Sequence, residues 1–174
     1  MSDHKINNVK IAEIKDFTDF SHVYKIYQNP PYCEVWTDED IKNEYEKIKQ
    51  NGKVFGYYIQ GKCIGIVSLI EKNQPLKFNS NVNAIYLSDL AVLSDFRKSL
   101  VALELINFAI EYAKQNSFNK IYLRTLKDSS SYEFSVFKMK GFVKIEDKVD
   151  VIKRSRTRSM KEEDCRFYWQ CDIV

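Results

Sequence analysis

A strand-to-helix junction near the middle of the chain constrains the fold most strongly. The mostly apolar run Ala84–Leu93 predicts a central, buried strand. After a short polar turn, the segment Leu100–Ala113 is apolar almost all round, which predicts a largely buried helix. Both elements need partners on several sides. The chain has 174 residues, 44% of them hydrophobic, which predicts one folded domain over residues 1–174 and excludes a disordered chain.

Shorter patterns on both sides of this junction alternate between strands and helices. We expect Asp16 or Thr18 to cap a first helix and Thr37 to cap a second one that ends at Asn51-Gly52. The motif Ser130-x-x-Glu133 predicts a capping box for a helix that Gly141 ends. The other strands are predicted at 9–14, 54–59, 63–70, 121–123 and in a C-terminal hairpin over about 142–173, with its turn at 161–164. The order βααβββαβαββ predicts the α/β class with a mixed sheet.

Composition narrows the class of protein further. The formal net charge is +3, too balanced to indicate a nucleic-acid-binding surface. No apolar run reaches the length of a membrane span, and the N-terminus lacks a hydrophobic signal core, so we expect a soluble, cytoplasmic protein. The 4 cysteines are scattered, which predicts ordinary thiols and no zinc site.

A basic run, Lys153–Arg158, is the one local concentration of charge. On a strand, its arginines would share one face and could bind an anionic acceptor, phosphates or RNA. We favour a different interpretation of the run, a solvated hairpin edge that is protected by charge. The apolar face of the last strand likewise fits an intrachain hairpin or pairing across a homodimer.

The junction itself predicts an anion site. The first turn of a helix has unpaired N–H groups and a partial positive charge, which suit a phosphate. Arg97 and Lys98 would add positive charge at the start of the helix that follows the buried strand.

Four segments, in this order and spacing, resemble the GNAT superfamily of N-acetyltransferases over about residues 9–172. The hairpin Val54–Gly65 is similar to the family's second and third strands, and Tyr86–Val92 to its fourth strand. Arg97–Ala102 falls on the pyrophosphate loop, and Phe137–Phe142 on the aromatic and Gly-Phe signature. The resemblance implies a GNAT-like mixed, mostly antiparallel sheet of about seven strands with about four helices, strands four and five being splayed.

The resemblance also implies an activity and a co-substrate. Members transfer the acetyl group of acetyl-CoA, without a metal, to a primary amine of a small molecule or protein that attacks the thioester directly. The N–H of Leu90 would act as an oxyanion-type donor to the thioester carbonyl. The positions implied for acetyl-CoA binding are Leu90, Ala91, Val92, Arg97, Lys98, Ser99, Leu100, Val101, Ala102, Ser131 and Phe137.

Two positions depart from the family pattern. Leu100 replaces the first loop glycine, and Phe137 stands where many members place a tyrosine that protonates the leaving thiolate. These departures leave open an alternative, a non-catalytic module of the same fold that binds CoA or another metabolite.

The sequence offers several candidates for the general base. Tyr86 and Ser88 occupy the inward positions where members place a base, and both are candidate catalytic residues. Strict period-two alternation would turn the neighbouring Asp89 away from them. Three side chains near the loop after the first helix are alternatives: His22, Tyr32 and Glu34.

Aromatic residues cluster around the first inter-helix loop, which usually covers the acceptor site in this family. We expect Tyr27, Tyr32 and Trp36 to bind the amine substrate, because aromatic faces suit a cation or an apolar amine. Packing of the two helices against each other is the alternative role for these rings.

Overall fold

The computed structural model describes residues 8–30, 32–97, 99–126, 136–153 and 163–174. The strands are β1 (Val9–Glu13), β2 (Gly52–Ile59), β3 (Lys62–Ile70), β4 (Ala84–Val92), β5 (Lys120–Leu126), β6 (Val143–Lys153) and β7 (Glu163–Asp172). The helices are α1 (Phe17–Tyr24), α2 (Asp38–Asn51) and α3 (Val101–Gln115), and residues 136–139 are also helical. This order confirms the predicted alternation of elements within the described residues.

All seven strands belong to one sheet with the order β1-β2-β3-β4-β5-β7-β6. Neighbouring strands run antiparallel, except β4 and β5, which are parallel. The predicted mixed, mostly antiparallel sheet is therefore confirmed. The β2–β3 hairpin turns at Gln60 and Gly61, whose φ angles of 51° and 81° match the paired positive values of a tight type I′ turn.

The capping residues define where α1 and α2 begin. Asp16 accepts a hydrogen bond from the Thr18 N–H at 2.8 Å, so Asp16, and not Thr18, caps α1. Thr37 and Asp40 form a reciprocal capping box at the start of α2. None of the helices in the described residues is long and apolar enough to cross a bilayer.

The sheet has a hydrophobic core on each face. Helices α1 and α2 cover one face, burying a predicted stripe that includes Ile41, Tyr45 and Ile48. Helix α3 covers the other face, but it is buried along one side only, so the prediction of a largely buried helix is wrong in part. It packs close to β3 at Gly65, where an added Cβ would lie 3.1 Å from Val101 Cγ1.

The C-terminal hairpin is confirmed with one correction. β7 alternates as predicted, with Trp169 in the core under α3 and Tyr168 in the core under α1 and α2. The turn predicted at 161–164 is wrong in part, because β7 already begins at Glu163, which pairs with Lys153 of β6. Gly141, at φ 85°, ends the preceding helix as predicted. The capping-box residues 130 and 133 and the basic residues 154–158 lie outside the described residues.

Candidate active site

The parallel strands β4 and β5 stay paired over only part of their length. Their register runs from Ala84 opposite Lys120 to Leu87 opposite Leu123 and then ends. Both strands continue beyond this point, β4 to Val92 and β5 to Leu126. The sheet therefore opens between them, as expected for splayed strands four and five.

A β-bulge lies on β4 where the opening begins. Leu87 pairs with Leu69 of β3 and Asp89 pairs with Ser68, which leaves Ser88 as the extra residue. Before the bulge, the odd-numbered residues Ile85 and Leu87 pack under α3. After the bulge, the even-numbered residues Leu90 and Val92 do so. The bulge thus brings Asp89 to the same face as Tyr86, and the expectation that alternation turns it away is wrong.

The same strand presents a free backbone edge to the opening. The Leu93 N–H donates to the Ile64 carbonyl of β3 at 2.9 Å. Hydrogen-bonded and non-hydrogen-bonded pairs alternate along an antiparallel ladder. Leu93 and Ile64 form a hydrogen-bonded pair, so Val92–Gly65 and Leu90–Val67, one and three positions back in the same register, are non-hydrogen-bonded pairs. The N–H and C=O groups of Leu90 and Val92 therefore point away from β3. They face the side from which β5 has diverged.

A cavity of about 550 Å³ lies at this opening. Tyr24 and Ile48 line it from the core under α1 and α2, while Leu87 and Leu123 line it from the core under α3, so it reaches both faces of the sheet. The cavity brings together seven of the predicted site residues: Tyr27, Tyr32, Trp36, Tyr86, Ser88, Leu90 and Phe137. Lys98 and Ser131 lie outside the described residues.

Aromatic rings form one wall of the cavity. Tyr24 makes edge contacts with Tyr27 and Trp36, with ring centroids 4.9 and 5.1 Å apart, and Tyr27 makes one with Tyr32 at 5.1 Å. Trp36 Nε1 donates to Glu34 Oε2 at 2.6 Å, which holds a carboxylate beside the rings. The rings therefore pack the helices together and line the cavity at the same time. His22, one of the alternatives for the base, is exposed on α1 and is not among the lining residues.

Three carboxylates converge on this wall: Glu34, Glu44 and Asp89. Burial raises the pKa of Asp89 to about 6, with smaller increases from the charges of Glu44 and Glu34 and an opposing hydrogen bond from Ser88. Ser88 Oγ donates to Asp89 Oδ2 at 2.9 Å. Sequence reasoning missed Glu44, although its place three residues after buried Ile41 on α2 indicates a position beside the buried stripe.

Two arginines, Arg124 and Arg166, also line the cavity. Arg124 Nε donates to the Tyr86 hydroxyl oxygen at 3.0 Å, and its Nη1 donates to Asp150 Oδ2 at 3.1 Å. The Tyr168 hydroxyl donates to the same carboxylate oxygen. Burial raises the pKa of Tyr86, and the positive charge of Arg124 opposes that rise. No sequence motif indicated this arrangement.

The residues immediately before α3 are exposed to solvent. Leu100 stands at the N-cap with an ordinary φ of −75°, and its side chain is 67% exposed. The position therefore needs no glycine for its backbone conformation. Ser99 Oγ accepts a hydrogen bond from the Val101 N–H at 3.3 Å, and Arg97 is exposed beside them.

The cysteines whose side chains the structure describes, Cys33, Cys63 and Cys171, are free thiols. Across the described ranges, no group of three or more His, Cys, Asp or Glu side chains could hold a metal ion.

A curated protein is related to this chain in sequence, and solved structures share its fold. Streptothricin acetyltransferase A of Bacillus subtilis (strain 168) is 36% identical over 97 residues, which cover 55% of this chain and 50% of that protein. The chain thus matches about half the length of this curated relative.

Two solved structures illustrate the fold. An N-acetyltransferase from Staphylococcus aureus Mu50 superposes with a TM-score of 0.72 at 13% identity, covering 96% of this chain and 99% of the other. A GNAT family acetyltransferase from Elizabethkingia anophelis with acetyl-CoA bound gives a TM-score of 0.61 at 15% identity, covering 95% and 99%. The model of the acetyltransferase (GNAT) family matches residues 20–142, and the chain belongs to this family.

Proposed function

We propose that the protein transfers the acetyl group of acetyl-CoA to a primary amine, which attacks the thioester directly. The observation that carries this proposal is the free edge of β4, where the Leu90 N–H faces an opening lined by Asp89. A backbone donor at such a position stabilises the negative charge that develops on the thioester oxygen, which is worth a few kcal/mol in acyl transfer. A carboxylate nearby can accept the proton that the amine must lose.

The opening between β4 and β5 suits the extended pantetheine of acetyl-CoA. The backbone of Leu90, Ala91 and Val92 would pair with the pantetheine amides in the way an added strand would. The N–H groups from residue 98 to Ala102 would hold the pyrophosphate at the positive end of α3, with Arg97 beside it. The exposed Leu100 side chain does not cover the start of α3. The Ser99 N–H donates to the Phe96 carbonyl and the Val101 N–H to Ser99 Oγ, so these two groups would exchange partners when they bind phosphate. Phe137 would form an apolar wall of the site.

Asp89 is the general base in this proposal, and Ser88 orients it. A base works best when its pKa lies near the working pH, and burial brings the pKa of Asp89 to about 6. At neutral pH the carboxylate is mostly ionised, yet it is more basic than an exposed aspartate. The hydrogen bond from Ser88 fixes one of its oxygens and leaves the other available to the acceptor.

The carboxylates beside the aromatic rings favour a cationic amine close to Asp89. Lys47 lies 3.6 Å from Glu44 and offsets part of its charge, and Arg124 and Arg166 also line the cavity. The charges of Glu44 and Glu34 still raise the pKa of Asp89, so a positive group beside Asp89 would relieve that repulsion. The faces of Tyr27, Tyr32 and Trp36 add cation–π attraction. The similarity to streptothricin acetyltransferase A makes streptothricin the first acceptor to test.

Release of free thiol from acetyl-CoA, measured with and without amines, tests the proposal. We expect release that depends on the amine, an acetylated product by mass spectrometry, and faster turnover with an aliphatic diamine than with the monoamine of equal chain length. Asp89→Asn should lower kcat by about 10²–10⁴. Stabilisation by CoA without turnover of any amine would instead support the non-catalytic module. No stabilisation and no release would contradict both functions.

A further inference from the structure

The neighbours of Tyr86 determine whether its hydroxyl group donates or accepts a hydrogen bond. A tyrosine hydroxyl can donate one hydrogen bond and accept others, whereas a guanidinium can only donate. Arg124 Nε lies 3.0 Å from the Tyr86 oxygen, so the arginine must be the donor in this contact. The proton of the Tyr86 hydroxyl is therefore not used on Arg124 and is available to another acceptor.

A chain of partly buried contacts holds this arrangement in place. Asp150 accepts from Arg124 at 3.1 Å and also from the hydroxyl of Tyr168, whose side chain is 1% exposed. On its other side, the Tyr86 ring packs on the ring of Tyr122, with the centroids 5.0 Å apart. Residues outside the cavity lining thus hold both the Tyr86 ring, through Tyr122, and the donor Arg124, through Asp150.

The Tyr86 side chain, which is 6% exposed, lines the cavity at the opening between β4 and β5. Burial and the charge of Asp89 raise its pKa, while the charges of Arg124 and Arg166 oppose that rise, and the balance is a pKa above 10. Tyr86 thus keeps its proton at neutral pH and acts as a donor. Phe137, which also lines the cavity, has no proton to donate.

We infer that the Tyr86 hydroxyl donates a hydrogen bond to the sulfur that leaves during acetyl transfer. This inference rests on the proposed function. The amine nitrogen forms a bond to the thioester carbon, the carbon–sulfur bond breaks, and its electron pair goes to sulfur. The amine proton goes to Asp89, and the Leu90 N–H serves the carbonyl oxygen. Tyr86 stabilises the thiolate without giving up its proton, and the thiolate is protonated later by solvent.

The acidity of bound CoA tests this role without turnover. CoA enriched in ¹³C at the carbon bonded to sulfur is titrated by NMR on the wild-type protein, on Tyr86→Phe and on Tyr122→Phe. A hydrogen bond to a charged group should hold the pKa of the bound thiol about one to two units lower in the wild type than in Tyr86→Phe. Tyr122→Phe is the matched control, because it removes the hydroxyl of a buried neighbouring tyrosine that is not among the lining residues.

Two further measurements distinguish loss of this hydrogen bond from misfolding of a variant and from failure of the proposed function. Tyr86→Phe should lower kcat about 10- to 100-fold with little change in the acceptor KM. Asp150→Asn, at a positioning residue that acts through Arg124, should shift the thiol pKa in the same direction by a smaller amount. An equal thiol pKa in the wild type and Tyr86→Phe would overturn the inference and leave the proposed function intact. Failure of the wild type to bind CoA would overturn both.

Discussion

Removing the charge of Asp89 should make the protein more stable and less active. The pKa of this carboxyl rises from 3.8 to about 6 on folding, mainly because burial disfavours the charged form. One pKa unit corresponds to 1.36 kcal/mol, so holding the ionised carboxylate in the folded protein costs about 3 kcal/mol. Asp89→Asn keeps the shape of the side chain and removes this cost. A residue that lowers stability in this way is typical of a functional site.

The difference in free energy of unfolding between Asp89→Asn and the wild type should grow with pH. Below pH 3.8 the carboxyl is protonated in both the folded and the unfolded state, so the substitution changes little. Between pH 3.8 and about 6 only the folded state keeps the proton, so wild-type stability falls as the pH rises. Above about pH 6 the full cost is present, and Asp89→Asn should exceed the wild type by about 3 kcal/mol, or roughly 6–12 °C in Tm.

Urea unfolding followed by tryptophan fluorescence between pH 4.5 and 8 measures this difference. Glu111→Gln, at an exposed position on α3, is the matched control and should show no comparable rise with pH. A variant that is less stable than the wild type at pH 7, or whose gain does not grow with pH, would refute the burial argument. A variant that gains stability and retains full kcat would instead refute the role of Asp89 as base.

Three smaller predictions concern packing, capping and the loop before α3. Gly65→Ala should lower the free energy of unfolding by about 1–3 kcal/mol in urea, since its methyl group would meet Val101 at 3.1 Å and Leu105 at 3.2 Å; an unchanged midpoint would contradict this packing. Thr37→Ala should cost about 0.5–2 kcal/mol through loss of the capping box, whereas Thr37→Ser should keep most of it. Leu100→Ala should leave the Kd for acetyl-CoA within about twofold in calorimetry, because the Leu100 side chain is exposed and the proposed contacts to phosphate come from the backbone; a tenfold change would show that the side chain matters.

The elements that depend on local signals could be predicted from the sequence. Thr37 and Gly141 mark helix ends because a cap needs only its near neighbours. The Gln60-Gly61 turn and the alternation of β7 follow from local backbone preference and from period-two burial. The order of the elements along the chain also limited the topologies available.

The features that depend on contacts between distant segments could not be predicted. The bulge at Ser88 exists because β3 pairs with β4 out of strict register, and a single strand carries no sign of its partner's register. The orientation of Asp89 depends on that bulge. Arg124 reaches Tyr86 only because β5 lies beside β4, and Asp150 reaches Arg124 only because β7 and β6 follow β5 in the sheet.

A crystal structure of the protein with acetyl-CoA tests the central claim most directly, because that claim concerns the position of one backbone group. We expect pantetheine between β4 and β5, with the thioester carbonyl oxygen about 2.7–3.2 Å from the Leu90 nitrogen. The sulfur should lie within hydrogen-bonding distance of the Tyr86 hydroxyl. A complex with the thioester away from β4, or with the Leu90 N–H turned toward β3, would contradict the account.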